Sequence, residues 1–122
     1  MYGIHQSLVC SFATGVSVST YIQIEQSQKI AVEFPTFVAG QIASATANFF
    51  FQVARSSVDT FRRLQKQGVY SSNSGIYDIE IPSNSGNLYA VIDGLEGFNY
   101  MKIESTRTAT GGYYPIVHIF RG

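Results

Sequence analysis

Two copies of one tetrapeptide, Ser72-Asn73-Ser74-Gly75 and Ser83-Asn84-Ser85-Gly86, frame the run Ile76-Tyr77-Asp78-Ile79-Glu80-Ile81. Glycine tolerates positive φ, and Asn and Ser hydrogen-bond to their own backbone, so each tetrapeptide readily reverses the chain. Between the turns, Tyr77, Ile79 and Ile81 project to one side, and Asp78 and Glu80 to the other. A period of two belongs to a half-buried strand. The same rhythm recurs along the chain and predicts an all-β protein: a β-sandwich, jelly-roll-like, with an N-terminal extended arm.

The chain has 122 residues, the length of one domain with one modest core. Its apolar share of 45% is ordinary, but only 13% of residues are charged, about half the usual share. Eight basic and eight acidic side chains cancel, which argues against a nucleic-acid partner, because such a partner selects a clearly basic face. The basic cluster Arg62, Arg63 and Lys66, with Arg55 nearby, reads as a solvated face. Eight Tyr and nine Phe on so weakly charged a chain suit a protein in contact with other proteins, although half-buried strands favour aromatics too. Cys10 stands alone, so no intrachain disulfide can form. Leu8-Val9-Cys10 is soon interrupted by Ser11, Thr14 and Gly15, so neither a signal peptide nor a membrane span is expected.

Residues 1–26 differ from the rest, being polar and nearly free of charge before Glu25. Val16, Val18, Thr20, Ile22 and Ile24 alternate with Ser17, Ser19, Tyr21, Gln23 and Glu25. Two readings stay open: a first or edge strand, or an arm that pairs with a neighbouring subunit through Val16, Val18, Ile22 and Ile24. The sandwich itself is assigned to residues 27–122. Ile30, Val32 and Phe34 form the next inward set, closed by Pro35. Residues 35–47 are small and read as a loop. Phe49, Phe51 and Val53 share one face with Phe50 on the other, as in a strand buried on both sides.

Residues 57–67 are ambiguous. Ser57 as a cap, the spacing of Val58, Phe61 and Leu64, and Gly68 at the end allow a short helix; a turn followed by a strand through Phe61 is the alternative. Strands are expected over 88–93 and 98–104, the second with Met101 and Ile103 inward. A last one over 113–120 has Tyr113, Pro115, Val117 and Ile119 on one face, and Pro115 points to an edge or a bulge. Seven or eight such strands make a sandwich or jelly roll, with Phe51, Ile79, Ile103 and Val117 in its core.

Nothing in the sequence has the form of a catalytic or metal-binding motif, and no cofactor is expected. His5 and His118 are far apart with no ligand partner at short spacing; His118, within an apolar strand, reads as a hydrogen-bonded structural residue. Cys10 reads as a small buried hydrophobe. Asp78 with Glu80, and Asp93 with Glu96, lack the alternating ligands of a calcium loop. Gly94-Leu95-Glu96-Gly97 has no Lys-Ser/Thr after it and is no phosphate loop. Tyr89, Tyr100, Tyr113 and Tyr114 are candidate surface contacts: a sugar-stacking platform, or packing in the core or against another protein.

Three segments together carry a resemblance. Phe34-Pro35-Thr36-Phe37 leads through a small-residue loop to Phe49-Phe50-Phe51-Gln52-Val53-Ala54; a turn and Phe61-Arg62-Arg63-Leu64 follow. Then come Leu88-Tyr89-Ala90-Val91 and Gly97-Phe98-Asn99-Tyr100-Met101-Lys102-Ile103-Glu104-Ser105. Over residues 28–121 this resembles a β-sandwich module of tailed-bacteriophage virion proteins. It departs from that module at Arg55-Ser56-Ser57-Val58-Asp59, where aspartate-glycine is usual, and at Asn99, where arginine is usual. The resemblance favours the strand at 57–67. It implies a structural virion component without enzymatic activity, located in the virion, and above all a capsid decoration (cement) protein. Neck- or tail-associated roles, or a carbohydrate-binding module of a receptor-binding apparatus, are the alternatives. The partners it implies are the major capsid protein or other virion proteins, with a homotrimer as the expected assembly.

Overall fold

Every strand with alternating side chains needs one face kept dry, and two sheets laid face to face satisfy all of them at once. The computed structural model describes residues 4–24, 29–35, 47–64, 79–81, 88–92, 95, 97–106 and 112–121. Among these, nine strands form two antiparallel sheets: β1 (Ile4–Val9), β2 (Ile22–Gln23), β3 (Lys29–Phe34), β4 (Ala47–Ala54), β5 (Arg62–Arg63), β6 (Ile79–Ile81), β7 (Leu88–Ile92), β8 (Tyr100–Ser105) and β9 (Ile116–Arg121). One sheet has the order β1-β9-β3-β7. The other runs β2-β8-β4-β5, and β6 also pairs with β4. Six of the eight steps along these strands change sheet, which is the winding of a jelly roll. The chain builds the expected all-β sandwich.

The inward faces follow the alternation. Ile30, Val32 and Phe34 on β3, Phe49, Phe51 and Val53 on β4, Met101 and Ile103 on β8, and Val117 and Ile119 on β9 are all buried in one cluster, with Ile79 packed against it. At one end, Phe49 is the hub of an aromatic group. Its ring centroid lies 4.8 Å from that of Phe34, 6.2 Å from Tyr113 and 6.3 Å from Phe12. Phe50, on the opposite face, is only half-buried, so β4 is wholly dry on one side.

The structure decides three points of the sequence reading. Residues 4–24 belong to the sandwich and are not a free arm: β1 pairs with β9 along its whole length, and Cys10, Phe12, Ile22 and Ile24 lie in the core. The apolar side assigned to a neighbour is consumed at home, because β8 needs a partner on its far edge and β2 supplies it. At 57–67, Arg62–Arg63 form strand β5 against Gln52 and Val53, so the strand alternative holds over the described part. Pro115 marks neither an edge nor a bulge. β9 lies between β1 and β3, and the proline sits one residue ahead of it, where its carbonyl accepts from the Cys10 N–H at 2.9 Å; lacking an N–H, it cannot return the second bond of that pair, and the loss falls just outside β9. The two Ser-Asn-Ser-Gly turns, residues 76–78 and the 36–46 loop lie outside the described residues; Ile79–Ile81 of the opening run is strand β6.

Candidate functional site

Hydrogen-bond phase and side-chain direction determine what each sheet shows to the outside. On the β1-β9-β3-β7 sheet the register lines up two outward rows: Val9, Ile116, Glu33 and Tyr89; and Ser7, His118, Ala31 and Val91. Neighbouring strands are about 4.8 Å apart, so each row spans roughly 14 Å. Tyr114 continues this face two residues before Ile116. Val9, Tyr114, Val91 and Tyr89 expose 51%, 53%, 61% and 65% of their surface, and in the two rows the one carboxylate between them is Glu33.

Glu33 is held in a polar knot. Its Oε1 lies 3.0 Å from His118 Nε2 and accepts from the Tyr89 hydroxyl at 3.3 Å, while His118 Nδ1 lies 3.1 Å from Ser7 Oγ. A carboxylate only accepts, so Nε2 carries a hydrogen; in the neutral ring Nδ1 then accepts from the serine. The ring of Tyr89 also leans on His118, centroid to centroid 6.0 Å. His118 is the hydrogen-bonded residue that its position in an apolar strand suggested. Ser, His and Glu here meet on an open sheet face.

The outer face of the second sheet covers itself. Arg63 on β5 grips Glu104 on β8 with two bonds, Nε–Oε1 at 3.0 Å and Nη2–Oε2 at 2.7 Å, and Gln52 of the intervening β4 donates to the same carboxylate at 2.9 Å. The Arg63 hydrogen bonds hold the Glu104 carboxyl below its ordinary range and push the guanidinium further up. Arg63 also lies 4.4 Å over the Phe50 ring, and Lys102 lies 4.3 Å over that of Phe61. Of the basic cluster read as solvated, Arg55 and Arg62 are exposed, Arg63 is engaged and Lys66 lies outside the described residues. An open cleft of about 660 Å³ beside β5 is lined by Arg55, Asp59, Thr60, Arg62, Leu64 and Phe98, among others.

The residues singled out from sequence scatter. Ile22 and Ile24 are core, Val18 is half-buried and bridges to Glu104, and Val16 alone of the four is exposed. Tyr113 is no surface contact. It is 1% exposed, donates to the Pro35 carbonyl at 2.6 Å, and has its hydroxyl pushed above the usual range by burial. Tyr100 packs edge-on against Tyr21 at 5.4 Å on the second sheet, away from Tyr89 on the first, so the four tyrosines form no common platform. Tyr89 and Tyr114 do share a face. Burial pushes the Cys10 thiol up to about 12, opposed by a hydrogen bond with Ser19, which leaves it a protonated core group.

Sequence reasoning missed Val9, Val91 and Ile116. The available signal was β7 itself, Leu88-Tyr89-Ala90-Val91-Ile92, which is apolar at every position and so has an apolar outer face wherever it is placed.

No protein-family model matches the chain, and no curated protein matches it. Among solved structures, the fold is similar to that of the SPBc2 prophage-derived protein YomS, with a TM-score of 0.55 and 11% identity over 98% of this chain and 97% of that one. Weaker likenesses are to a protein of the disulfide-linked pili that form Bacillus endospore appendages (TM-score 0.46, 11% identity, 98% and 88% of the two chains) and to the Yersinia pseudotuberculosis-derived mitogen (0.42, 8%, 100% and 88%). At these identities the likeness concerns the fold.

Proposed function

We propose that this protein is a structural, non-catalytic component of a phage particle: a decoration or cement protein that stabilises the capsid through contact with the major capsid protein or another virion protein. The observation that carries the reading is the outer face of the β1-β9-β3-β7 sheet, where Val9, Tyr89, Val91 and Tyr114 lie exposed together on a four-stranded surface. Such a patch on a weakly charged protein suits protein contact. The opposite face differs in kind, since its Phe50 and Phe61 rings are already covered by the chain's own cations. The likeness of the fold to a prophage-derived protein over nearly the full length of both chains supports a phage origin. Assembly as a homotrimer that forms on the capsid, at its local three-fold positions, fits this role, because closed symmetry prevents growth into fibres; no trimer is required in solution.

Particles purified on a density gradient should carry the protein in a fixed ratio to the major capsid protein. Val9→Glu places a charge within the contact, at its β1 side, without disturbing the core. It should weaken attachment by about tenfold or more, equivalent to ~1.4 kcal/mol. Absence from the particles, or a ratio that varies between preparations, would overturn the reading.

A further inference from the structure

Strand edges offer unpaired backbone groups to other chains, and proteins blunt them with short strands, charges or prolines. The second sheet is blunted in this way: β2 is two residues long, and β5 is the pair Arg62–Arg63. The first sheet ends differently. Among the described residues β7 is an edge strand, five residues long, Leu88-Tyr89-Ala90-Val91-Ile92, with no charge, proline or glycine.

Which of its backbone groups point outward follows from the ladder phase. Phe12 and Tyr113 exchange both backbone bonds, at 2.9 and 3.2 Å, and Cys10 N–H reaches the Pro115 carbonyl at 2.9 Å. Odd-numbered residues of the β9 segment therefore bond toward β1, and Ile116, His118 and Phe120 bond toward β3. Carried through the register Glu33↔Ile116 and Ala31↔His118, this leaves Ile30, Val32 and Phe34 to bond with Ile92, Ala90 and Leu88. Tyr89 and Val91 are left with their N–H and C=O groups directed away from β3, at an edge that no strand among the described residues covers, and the two residues are 65% and 61% exposed.

We propose that β7 joins two copies of this chain, pairing antiparallel with its own copy about a two-fold axis at Ala90. In that register Tyr89 faces Val91 of the second copy and Val91 faces its Tyr89. All four outward N–H and C=O groups of each strand are then bonded. The two Tyr–Val pairs on the outer face are of the aromatic–β-branched kind that stabilises antiparallel sheets. No charge on β7 opposes its copy, and the small Ala90 sits on the axis. Pairing of β7 with β1 of another copy would instead be heterologous and open-ended. The contact is small and belongs among transient encounters in dilute solution, but it is strengthened wherever copies are held close together. It is independent of the phage reading.

Sedimentation of the whole chain over a range of concentrations tests this directly. The mass should rise from one chain toward two and stop there. In the associated form the Tyr89 and Val91 amides should become protected from hydrogen exchange. Val91→Lys, on the exposed face, should keep the mass at one chain with an unchanged circular dichroism spectrum. Ala90→Cys provides a second arm. Facing residues of a non-hydrogen-bonded pair have Cα atoms about 4.5 Å apart, within the roughly 4.4–6.8 Å a disulfide bridges. Mild oxidation should therefore yield a covalent dimer, which the wild type, whose Cys10 is fully buried, does not form. A chain that stays monomeric at every concentration, growth beyond two chains, or an Ala90→Cys protein that associates without cross-linking would each overturn the proposal.

Discussion

Ser19 is a buried polar residue, 4% exposed, and its hydroxyl ties the segment ahead of β2 to strand β8. It accepts from the Ile103 N–H at 2.9 Å and donates to the Thr20 carbonyl at 2.9 Å, while the Ser19 N–H reaches the Ile103 carbonyl at 2.8 Å. One side chain here substitutes for ladder bonds where β2 is too short to cover β8. Ser19→Ala would leave the Ile103 N–H buried without an acceptor, which costs about 1–3 kcal/mol. Urea unfolding of the variant should show that loss in the midpoint with the slope unchanged; a loss near zero would mean that water or another group replaces the hydroxyl. Alternation in the sequence puts Ser19 on the side opposite Val18 and Thr20. It does not announce that this serine is interior.

At the scale of elements, the two-residue strand β5 is tied to the sheet by charge as much as by ladder bonds. Arg63 reaches across β4 to Glu104 on β8, and Gln52 supports the same carboxylate. Since the Glu104 carboxyl titrates lower in the folded protein than in the unfolded chain, its contribution is fully present above the unfolded value, about 4.3. It is lost as the pH falls through the lower folded value. Thermal unfolding followed through the acid range should show the wild type losing stability there and Arg63→Met losing less. At neutral pH the variant should be weaker by less than about 1 kcal/mol, because the Arg63 side chain is 44% exposed and solvent screens the pair. Equal acid sensitivity in both proteins would assign the loss to other carboxylates.

For the molecule as a whole, the decisive question is whether its first 26 residues can be dispensed with. A docking arm could be removed and leave a folded domain. The structure makes the segment part of the sandwich: it supplies edge strand β1, the partner of β8, and the buried side chains of Cys10, Phe12, Ile22 and Ile24. Each large buried side chain contributes about 1.5–3 kcal/mol, against a total stability of about 5–15 kcal/mol for a domain. A chain starting at residue 27 should therefore show no cooperative urea transition and no dispersed amide resonances. A cooperative transition would restore the arm.

What the sequence determined by itself was local: which residues of each strand face inward, and hence an all-β sandwich with Phe51, Ile103 and Val117 at its centre. A strand's two faces are written in alternate residues, and burial of one face needs no knowledge of its partner. The same pattern is silent about the partner. Val18, Ile22 and Ile24 alternate identically whether they dock on a neighbour or on their own core, and Tyr113 reads alike inside or outside. Only the tertiary structure decided these, because it sets β2 against β8 and brings Glu33 to His118 across 85 residues and Arg63 to Glu104 across 41. Strand order in a jelly roll comes from contacts distant in the chain, and local periodicity carries no record of them.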